Sequence, residues 1–327
     1  MIKTILLTGS SGTVGTALSQ VLIDHGYNLV PLDLRPSLWS DSIDRMTVRH
    51  DLRKPLNLGS LPRAKRKVDL IIHLAANARV HDSVLNPKLA LDNYLMVYNL
   101  LELCRLQEIP RLLFTSSREI YGESRTGHRR GEEVTHIWKL KSPYTATKLG
   151  AEGLIHAYRE CYGIKPVVAR LSNVYGRYDV SERVIPLFLY YAKRHRDLNI
   201  YGPDKKLDFT FIDDTIDGLL RVVKRYDKAA GLTFNISRGQ QERLVDLAEM
   251  IVSATGSRSQ IVMGNKRTGE ITSYVGSIEL AGKMLGYNPT TSFDSGLEEN
   301  IKWYYDAVRD RRVYAYQRRI LAARGWA

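Results

Sequence analysis

The chain has 327 residues, of which 44% are hydrophobic and 25% are charged, so it is long enough to bury a sizeable core and is unlike a disordered chain. No apolar run approaches the roughly 18 to 20 residues that span a bilayer, and we therefore expect a soluble, cytoplasmic protein without a membrane partner. The formal net charge of +13 is compatible with nucleic acid or with an anionic substrate.

The positive charge is concentrated near one end of the chain. Residues 308–327 contain six arginines and one aspartate and are interpreted as a basic C-terminal tail. Two smaller basic clusters, at residues 63–67 and 129–130, lie beside prolines or glycines, as is typical of solvated loops. Because no zinc-finger, helix-turn-helix or RNA-binding aromatic pattern accompanies them, nucleic acid is not the expected partner.

The chain has two cysteines, Cys104 and Cys161, and both fall in apparently helical segments. Two thiols are too few for a disulfide framework or a cysteine-rich metal site. We expect both to be buried thiols and expect no bound metal.

The first half of the chain alternates short apolar runs with helical stretches. This order predicts an α/β fold with a parallel sheet and helices on both of its faces. The predicted helices lie near residues 14–25, 93–106 and 144–161, and the predicted strands lie in KTILLT, NLVPLD, MTVRH, VDLIIHLAA, RLLFTSS and KPVVARLSNVYG.

Beyond Gly176 the pattern loosens into single strands and helices. We expect one domain over residues 1–176, to which later segments return, and a smaller mixed α/β lobe over residues 177–307. Because no repeat or low-complexity linker separates the two, they are predicted to share an interface.

A strand followed by spaced glycines opens the chain. In TILLTGSSGTVGTALSQVL, the residues Gly9, Gly12 and Gly15 follow the strand and lie at the start of a helix. Small residues let the backbone approach a dinucleotide pyrophosphate, and the helix N-terminus, at Thr13 and Val14, supplies free N–H groups and a positive dipole. An ordinary strand-to-helix turn is the alternative.

The end of the second strand distinguishes these alternatives. Asp33 lies there, 18 residues after Gly15, where a carboxylate accepts hydrogen bonds from the adenosine ribose hydroxyls and repels a 2′-phosphate. Arg35 is the opposing feature, because a nearby arginine can accommodate NADP. The combination predicts NAD.

A tyrosine and a lysine in SPYTATKLGAE are candidate catalytic residues. Tyr144 and Lys148 are four residues apart and share one face of a helix. Tyrosine normally loses its proton near pH ~10, but an adjacent ammonium and a nicotinamide cation favour the phenolate, which can then act as a base near neutrality. Ser117, at the end of a strand, is the candidate third member, whose hydroxyl can bind the reacting oxygen. A solvated helix stripe and a capped strand end are the alternatives.

Together these motifs resemble the extended short-chain dehydrogenase/reductase family, in particular its nucleotide-sugar epimerases and dehydratases. The resemblance rests on TGSSGTVG, Asp33, HLAA, YTATK and RTGE and extends over residues 2–307. It implies a Rossmann-type doubly wound parallel sheet that holds NAD tightly, and a Tyr–Lys–Ser/Thr site. It also implies a C-terminal lobe that binds a sugar nucleotide, and commonly a homodimer formed through two helices of each subunit.

The resemblance also assigns expected roles to further residues. On the cofactor side, the expected contacts are Asp51 and Leu52 at the adenine, His73, Leu74, Ala75 and Ala76 along the dinucleotide, and Asn93 near its nicotinamide half. On the substrate side, Asn173 matches a residue that contacts phosphate, and Arg267, in RTGE, matches an arginine that clamps the pyrophosphate, as a guanidinium fork suits. Arg79 and His81 are candidates to face the sugar, with a solvated loop as the alternative.

The chain departs from the family at one phosphate contact. Many relatives have an Arg-Asp pair where this chain has Leu207 and Asp208. The second phosphate clamp is therefore in question. Lys205 or Lys206 is a possible substitute, and a solvated turn is the alternative.

The two residues after Ser117 bear on the reaction. Dehydratases of this group have Asp-Glu there, whereas this chain has Arg118 and Glu119, so one carboxylate remains. Decarboxylating relatives show an Ala-Ser-Pro signature where this chain has HLAANARVHDS. We expect NAD-dependent epimerisation, at C4, of a nucleotide sugar of the UDP type through a transient keto intermediate. The alternatives are a dehydratase or decarboxylase that uses Glu119, and a non-catalytic NAD-binding or RNA-associated protein.

Overall fold

The computed structural model describes residues 1–60, 67–123, 129–132 and 137–326. Most of the basic cluster at 63–67 lies outside the described residues. The strands are β1 (Thr4–Thr8), β2 (Asn28–Asp33), β3 (Val48–Arg49), β4 (Leu70–His73), β5 (Arg111–Ser117), β6 (Lys165–Leu171), β7 (Asn173–Tyr175), β8 (Leu198–Tyr201), β9 (Lys206–Leu207), β10 (Phe209–Phe211), β11 (Thr233–Ile236), β12 (Glu242–Arg243) and β13 (Ile261–Gly264). The helices are α1 (Thr13–Asp24), α2 (Asp41–Met46), α3 (Val80–Leu85), α4 (Lys88–Leu106), α5 (Pro143–Tyr162), α6 (Val184–Ala192), α7 (Ile212–Lys224), α8 (Tyr226–Ala229), α9 (Leu244–Thr255), α10 (Glu279–Leu285), α11 (Phe293–Ala307) and α12 (Arg311–Ala322).

The central element is a parallel sheet with the strand order β11-β6-β5-β4-β1-β2-β3. Alternate residues of each inner strand enter different cores: Leu7 and Ile72 pack in one, and Leu6 and Ile71 pack in the other. Because helices cover both faces, the inner strands are almost continuously apolar. The predicted Rossmann-type α/β fold is confirmed.

The segment KPVVARLSNVYG forms two strands, whereas the sequence predicts one. The chain leaves the sheet at Ser172: β6 pairs with β5 and β11, and β7 pairs with β10. The Ser172 hydroxyl donates to the Asp208 carbonyl at 2.5 Å, and the Asn173 N–H donates to the same oxygen at 3.2 Å. These contacts hold the beginning of the second lobe against the carboxyl end of the sheet.

The second lobe is assembled from short pairs of elements. β8 pairs with β13, and β9 pairs with β12. β11 then joins the central sheet beside β6, so the chain returns to that sheet after the short pairs.

Residues interpreted as a basic tail include the helix α12. Val313, Gln317 and Leu321 are buried on one face of it, and the Gln317 side chain accepts a hydrogen bond from the Tyr304 hydroxyl at 2.8 Å. Spacings of four residues place these side chains in one stripe beside the arginines. The segment is therefore packed against the body of the protein over residues 311–322.

One of the two cysteine predictions is wrong. Cys104 is buried, and burial raises the pKa of its thiol to about 12. Cys161 is exposed near the end of α5.

Within the described ranges, no helix is long and apolar enough to cross a membrane.

Candidate active site

The turn between β1 and α1 forms a backbone cradle. Gly9 has a φ of +74°, and a Cβ added there would lie 2.7 Å from the Ala75 amide nitrogen. A Cβ on Gly15 would lie 1.9 Å from the Gly9 carbonyl oxygen, while Gly12 is the N-cap of α1 and has no side-chain cap. The first N–H groups of α1, from Thr13, therefore remain available to an anion.

Asp33 closes β2 beside this turn. Its two carboxylate oxygens accept the N–H groups of Ser11 and Arg35, each at 2.9 Å. A carboxylate has about four lone-pair sites, so two remain for hydroxyl donors. Arg35 is exposed, and its carbonyl accepts the Ser11 hydroxyl. This geometry suits a dinucleotide with free ribose hydroxyls.

Three residues expected near the cofactor make protein contacts. Asp51 is hydrogen-bonded by Arg53, which lowers its pKa to about 2. The carbonyl oxygen of the buried Leu52 accepts a hydrogen bond from the Asn99 side-chain amide, with an N–O distance of 2.8 Å. Asn93 binds both the N–H and the carbonyl of Asn77, at 2.7 and 3.1 Å, and so positions the loop after β4.

Tyr144 and Lys148 lie on the first two turns of α5. Ser142 caps this helix by accepting the Thr145 N–H, and Pro143 occupies its first turn. The Lys148 ammonium donates to the Thr115 carbonyl at 2.8 Å and lies 6.0 Å from the Tyr144 ring centroid. Tyr144 and Ser117 line the same cavity, where Ser117 lowers the pKa of the tyrosine hydroxyl.

Burial determines the proton affinities of this group. It raises the pKa of Tyr144 to about 12, and the effect of Ser117 offsets this only in part. Burial also lowers the pKa of Lys148 to about 8. The expected lowering of the tyrosine pKa is therefore absent in the protein alone, because desolvation disfavours both charged forms.

His73 lies at the carboxyl end of β4 behind this group. Burial, followed by repulsion from Lys148, lowers its pKa to about 3, so the imidazole is neutral. Its Nδ1 shares a hydrogen bond of 2.7 Å with the Thr8 hydroxyl. His73 therefore joins two neighbouring strands under the expected dinucleotide path.

The residues after Ser117 form a buried ion pair. The Arg118 guanidinium lies 2.8 Å from the Glu119 carboxylate and donates to the Asn173 side-chain oxygen at 3.0 Å. Burial raises the pKa of Glu119. Among the described residues, Arg118 Nη1 and Glu119 Oε2 have no hydrogen-bond partner. One donor and one acceptor thus remain beside the candidate base.

A cavity of about 360 Å³ connects these groups with the second lobe. Its volume is typical of a small-molecule site. Of the residues predicted from sequence, those that line it are Val14, Leu74, Ala76, Arg79, His81, Ser117, Glu119, Tyr144, Lys148, Asn173, Lys205 and Arg267. Gly9, Gly12, Thr13, Gly15, Asp33, Arg35, Asp51, Leu52, Ala75 and Asn93 lie outside its lining.

Sequence reasoning did not predict several lining residues. The motifs single out Arg118 only as the replacement of an aspartate, and they do not point to Glu182, Arg183 or Tyr201. Glu182, Arg183 and Tyr201 come from segments that follow the divergence of the chain after β6. The local sequence holds no signal of that geometry.

Lys205 is buried and lines the cavity, so the solvated-turn interpretation is wrong for it. Its ammonium pairs with the Glu270 carboxylate. Asp208, in the unusual Leu-Asp register, is fully buried and accepts the N–H groups of Arg238, Gly239 and Gly276. Asp208 thus joins three chain segments.

Arg79 and His81 lie at the beginning of α3 and face the same cavity. The Arg79 guanidinium lies 3.3 Å from the Glu182 carboxylate. Among the described residues, His81 Nδ1 has no hydrogen-bond partner. Arg79 and His81 are half-buried and line the cavity, and their contact with the sugar stays a prediction.

Comparison with known proteins places this architecture in a family. The model of the NAD dependent epimerase/dehydratase family matches residues 5–237. The chain is 28% identical to dTDP-glucose 4,6-dehydratase 1 of Escherichia coli (strain K12), over 92% of each chain.

Solved structures give the same result. UDP-glucuronic acid 4-epimerase from Bacillus cereus, in complex with UDP-glucuronic acid and NAD, is 26% identical, with a TM-score of 0.84 over 93% of this chain and 99% of that one. UDP-glucose 4-epimerase from Thermus thermophilus, in complex with NAD, is 25% identical, with a TM-score of 0.83 over 93% and 100%. The chain therefore belongs to the NAD dependent epimerase/dehydratase family.

Proposed function

We propose that the protein epimerises a nucleotide sugar at C4 through a transient keto intermediate. The geometric support is that Tyr144, Ser117 and Lys148 line one cavity together with the candidate phosphate-binding residues Asn173 and Arg267. The C4 position and the UDP nucleotide are suggested by the solved relatives, which include 4-epimerases of UDP-glucose and UDP-glucuronic acid.

The side chains divide the work of the first step. NAD held at the glycine turn after β1 and at Asp33 would supply the acceptor, and later the donor, of a hydride at the sugar carbon. Tyr144 removes the proton of the hydroxyl group on that carbon and later returns a proton to the same oxygen. Ser117 binds this reacting oxygen. Because burial raises the pKa of Tyr144 to about 12, the phenolate requires nearby positive charge. Arg183 and Arg118 supply part of it in the protein, and the role proposed here for the Lys148 ammonium is to add to it.

The observation that carries the epimerase assignment is the Arg118–Glu119 ion pair. Elimination of water requires an acid and a base near C5 and C6 of the sugar. Here the carboxylate beside Ser117 is held by the neighbouring guanidinium at 2.8 Å. Epimerisation breaks no bond at C5 or C6, and the pair then only needs to hold the sugar.

A second candidate, a dehydratase or decarboxylase, is favoured by a different property of the same residue. Glu119 Oε2 has no hydrogen-bond partner among the described residues, and burial raises the pKa of Glu119. A carboxyl group with a raised pKa is suited to donate a proton near neutrality. The relative from Escherichia coli is a 4,6-dehydratase.

Product analysis distinguishes the two reactions. The protein is incubated in D₂O with UDP-, dTDP-, GDP- and CDP-sugars, and the products are examined by NMR and mass spectrometry. We expect an isomer of unchanged mass without deuterium at C5 or C6, and we expect Glu119→Gln to retain measurable turnover. Tyr144→Phe is the inactive control. Deuterium at C5, or a product lighter by water or carbon dioxide, supports the second candidate.

We also propose a homodimer, with α4 as part of the interface. Leu91, Leu95 and Tyr98 are exposed at a spacing of one helical turn, and Tyr162 is exposed at the end of the neighbouring α5. A second copy would bury this apolar stripe, as the family resemblance implies. Light scattering should give twice the chain mass for the unaltered protein, and Leu95→Glu should give the monomer with its fold retained.

A further inference from the structure

Arg267 is held without the use of its hydrogen-bond donors. Its guanidinium carbon lies 3.8 Å from the Tyr201 ring centroid and 5.4 Å from the Trp326 ring. The nearest carboxylate, that of Glu270, is 4.0 Å away, and none of the described residues accepts a hydrogen bond from Arg267. Aromatic contacts restrain a guanidinium while leaving its N–H groups free for a planar anion.

Trp326 reaches this position because the chain turns back after α12. Gly325 adopts a φ of +70°, and the Trp326 N–H donates to the Leu321 carbonyl at 2.9 Å. This is the left-handed turn that commonly ends a helix. The Arg196 side chain donates a hydrogen bond to the Trp326 carbonyl oxygen at 3.2 Å. Both the N–H and the carbonyl group of Trp326 are therefore hydrogen-bonded.

Arg324 anchors the same segment to two walls of the cavity. Its guanidinium donates to Glu182 at 3.2 Å and also pairs with Asp82. Asp82 belongs to α3 in the first domain, whereas Glu182 directly precedes α6 in the lobe. Both carboxylates also lie within 4.0 Å of Arg79, which lines the cavity.

We propose that Trp326 is a positioning residue for the substrate's diphosphate and acts by holding Arg267 in its binding orientation, with Arg324 as its anchor. The proposal rests on the proposed function, because it takes the ligand of Arg267 to be a nucleoside diphosphate group. It assigns a role to a segment that lies beyond the sequence motifs and is not itself part of the cavity lining.

A double-mutant cycle with UDP tests this role in the full-length, NAD-loaded protein. The variants are Trp326→Leu, Arg267→Ala and their combination, and calorimetry measures the dissociation constant of UDP. We expect Trp326→Leu to weaken binding by about three- to tenfold, as the loss of a partly buried cation–π contact implies. In the Arg267→Ala background the same change should weaken it less than about twofold.

Three further variants separate positioning from general stability. Trp326→Phe keeps an aromatic ring and should restore most of the affinity for UDP. Trp138→Leu, at a tryptophan that is 88% exposed, is the matched control and should leave affinity unchanged. Arg324→Gln should weaken UDP binding in the same direction as Trp326→Leu. With a turned-over sugar nucleotide, KM should rise and kcat should stay within about twofold, since no reacting group is altered.

Two outcomes overturn the proposal, and they are distinguishable. If the unaltered protein binds UDP but Trp326→Leu binds it equally well, or loses the same affinity with and without Arg267, then only the positioning role is wrong. If the unaltered protein binds none of UDP, dTDP, GDP and CDP, the proposed function fails together with it.

Discussion

Replacing Gly15 by alanine tests the cofactor site at its most constrained point. Gly15 lies in the first turn of α1, packed against the turn that leaves β1. A Cβ there would lie 1.9 Å from the Gly9 carbonyl oxygen and 2.8 Å from the Gly9 carbonyl carbon. Real Cβ atoms essentially never approach a heavy atom within 3.0 Å, so backbone must move by on the order of 1 Å.

Gly9 cannot move freely in response. A Cβ added to Gly9 would lie 2.7 Å from the Ala75 nitrogen and 2.9 Å from the carbonyl carbon of Leu74. The turn is therefore confined between α1 and the end of β4. Overpacking of this kind costs about 1–3 kcal/mol of unfolding free energy. It also moves the N–H groups expected to contact the pyrophosphate.

The assay compares purified Gly15→Ala with Gly153→Ala. Gly153 lies within α5, where an added Cβ would meet no atom of the described residues within 4 Å. We expect Gly15→Ala to lose copurified NAD and about 1–3 kcal/mol of stability in denaturant titrations, and Gly153→Ala to keep NAD and gain about 0.5–1 kcal/mol. A Gly15→Ala protein with full NAD content and an unchanged midpoint would refute the reasoning.

Three further predictions concern the reacting group and the cofactor. Tyr144→Phe should keep NAD content and thermal midpoint but lose about 10²- to 10⁴-fold in turnover, whereas a loss of only about threefold would remove Tyr144 from the role of base. Because Asp33 repels a 2′-phosphate, calorimetry should show tighter binding of NAD than of NADP, and NADP in the purified protein would contradict this. Burial lowers the pKa of Lys148 to about 8 against an ordinary value of 10.5, so its charged form destabilises the folded state most below pH 8. Lys148→Met should therefore raise the midpoint of the NAD-free protein more at pH 7 than at pH 10, and equal shifts would contradict the pKa.

The first domain was predictable because its signals are local. Strands covered on both faces, such as β4 and β5, are apolar runs that end at polar residues, and Gly15 is required by contacts with Gly9 and Ser10 in the turn after β1. Tyr144 and Lys148 are linked by helical spacing alone. In each case the physical constraint is contained within about one element of sequence.

The lobe was less predictable because its geometry depends on long-range contacts. Ser172 ends β6 through its bond with Asp208, 36 residues further along the chain. Lys205 is buried through its pairing with Glu270, 65 residues away. Neither partner can be inferred from the local pattern, in which a serine and a lysine are ordinary surface residues.

The charge of the final segment shows the same limit. Its arginines predict a solvated tail by composition, yet α12 carries a buried stripe, and Arg324 pairs with carboxylates from both halves of the molecule. The periodicity of Val313, Gln317 and Leu321 was the available signal. This periodic signal was weak because Gln317 is polar. In the structure the buried Gln317 side chain accepts a hydrogen bond from the Tyr304 hydroxyl.

Family membership does not decide the reaction, because the decision depends on one carboxyl group. The sequence contains Glu119 in the position where dehydratases have the second of two acidic residues, but its proton affinity is set by two opposing surroundings. Burial raises its pKa and favours a proton donor, whereas Arg118 at 2.8 Å lowers it and favours a fixed anion. If Arg118 stays paired when the sugar enters, the guanidinium continues to oppose protonation of Glu119 and disfavours its use as a proton donor. If the sugar instead draws Arg118 away, burial acts on Glu119 unopposed by that pair and favours a proton donor for elimination. The presence or absence of deuterium at C5 distinguishes the two reactions.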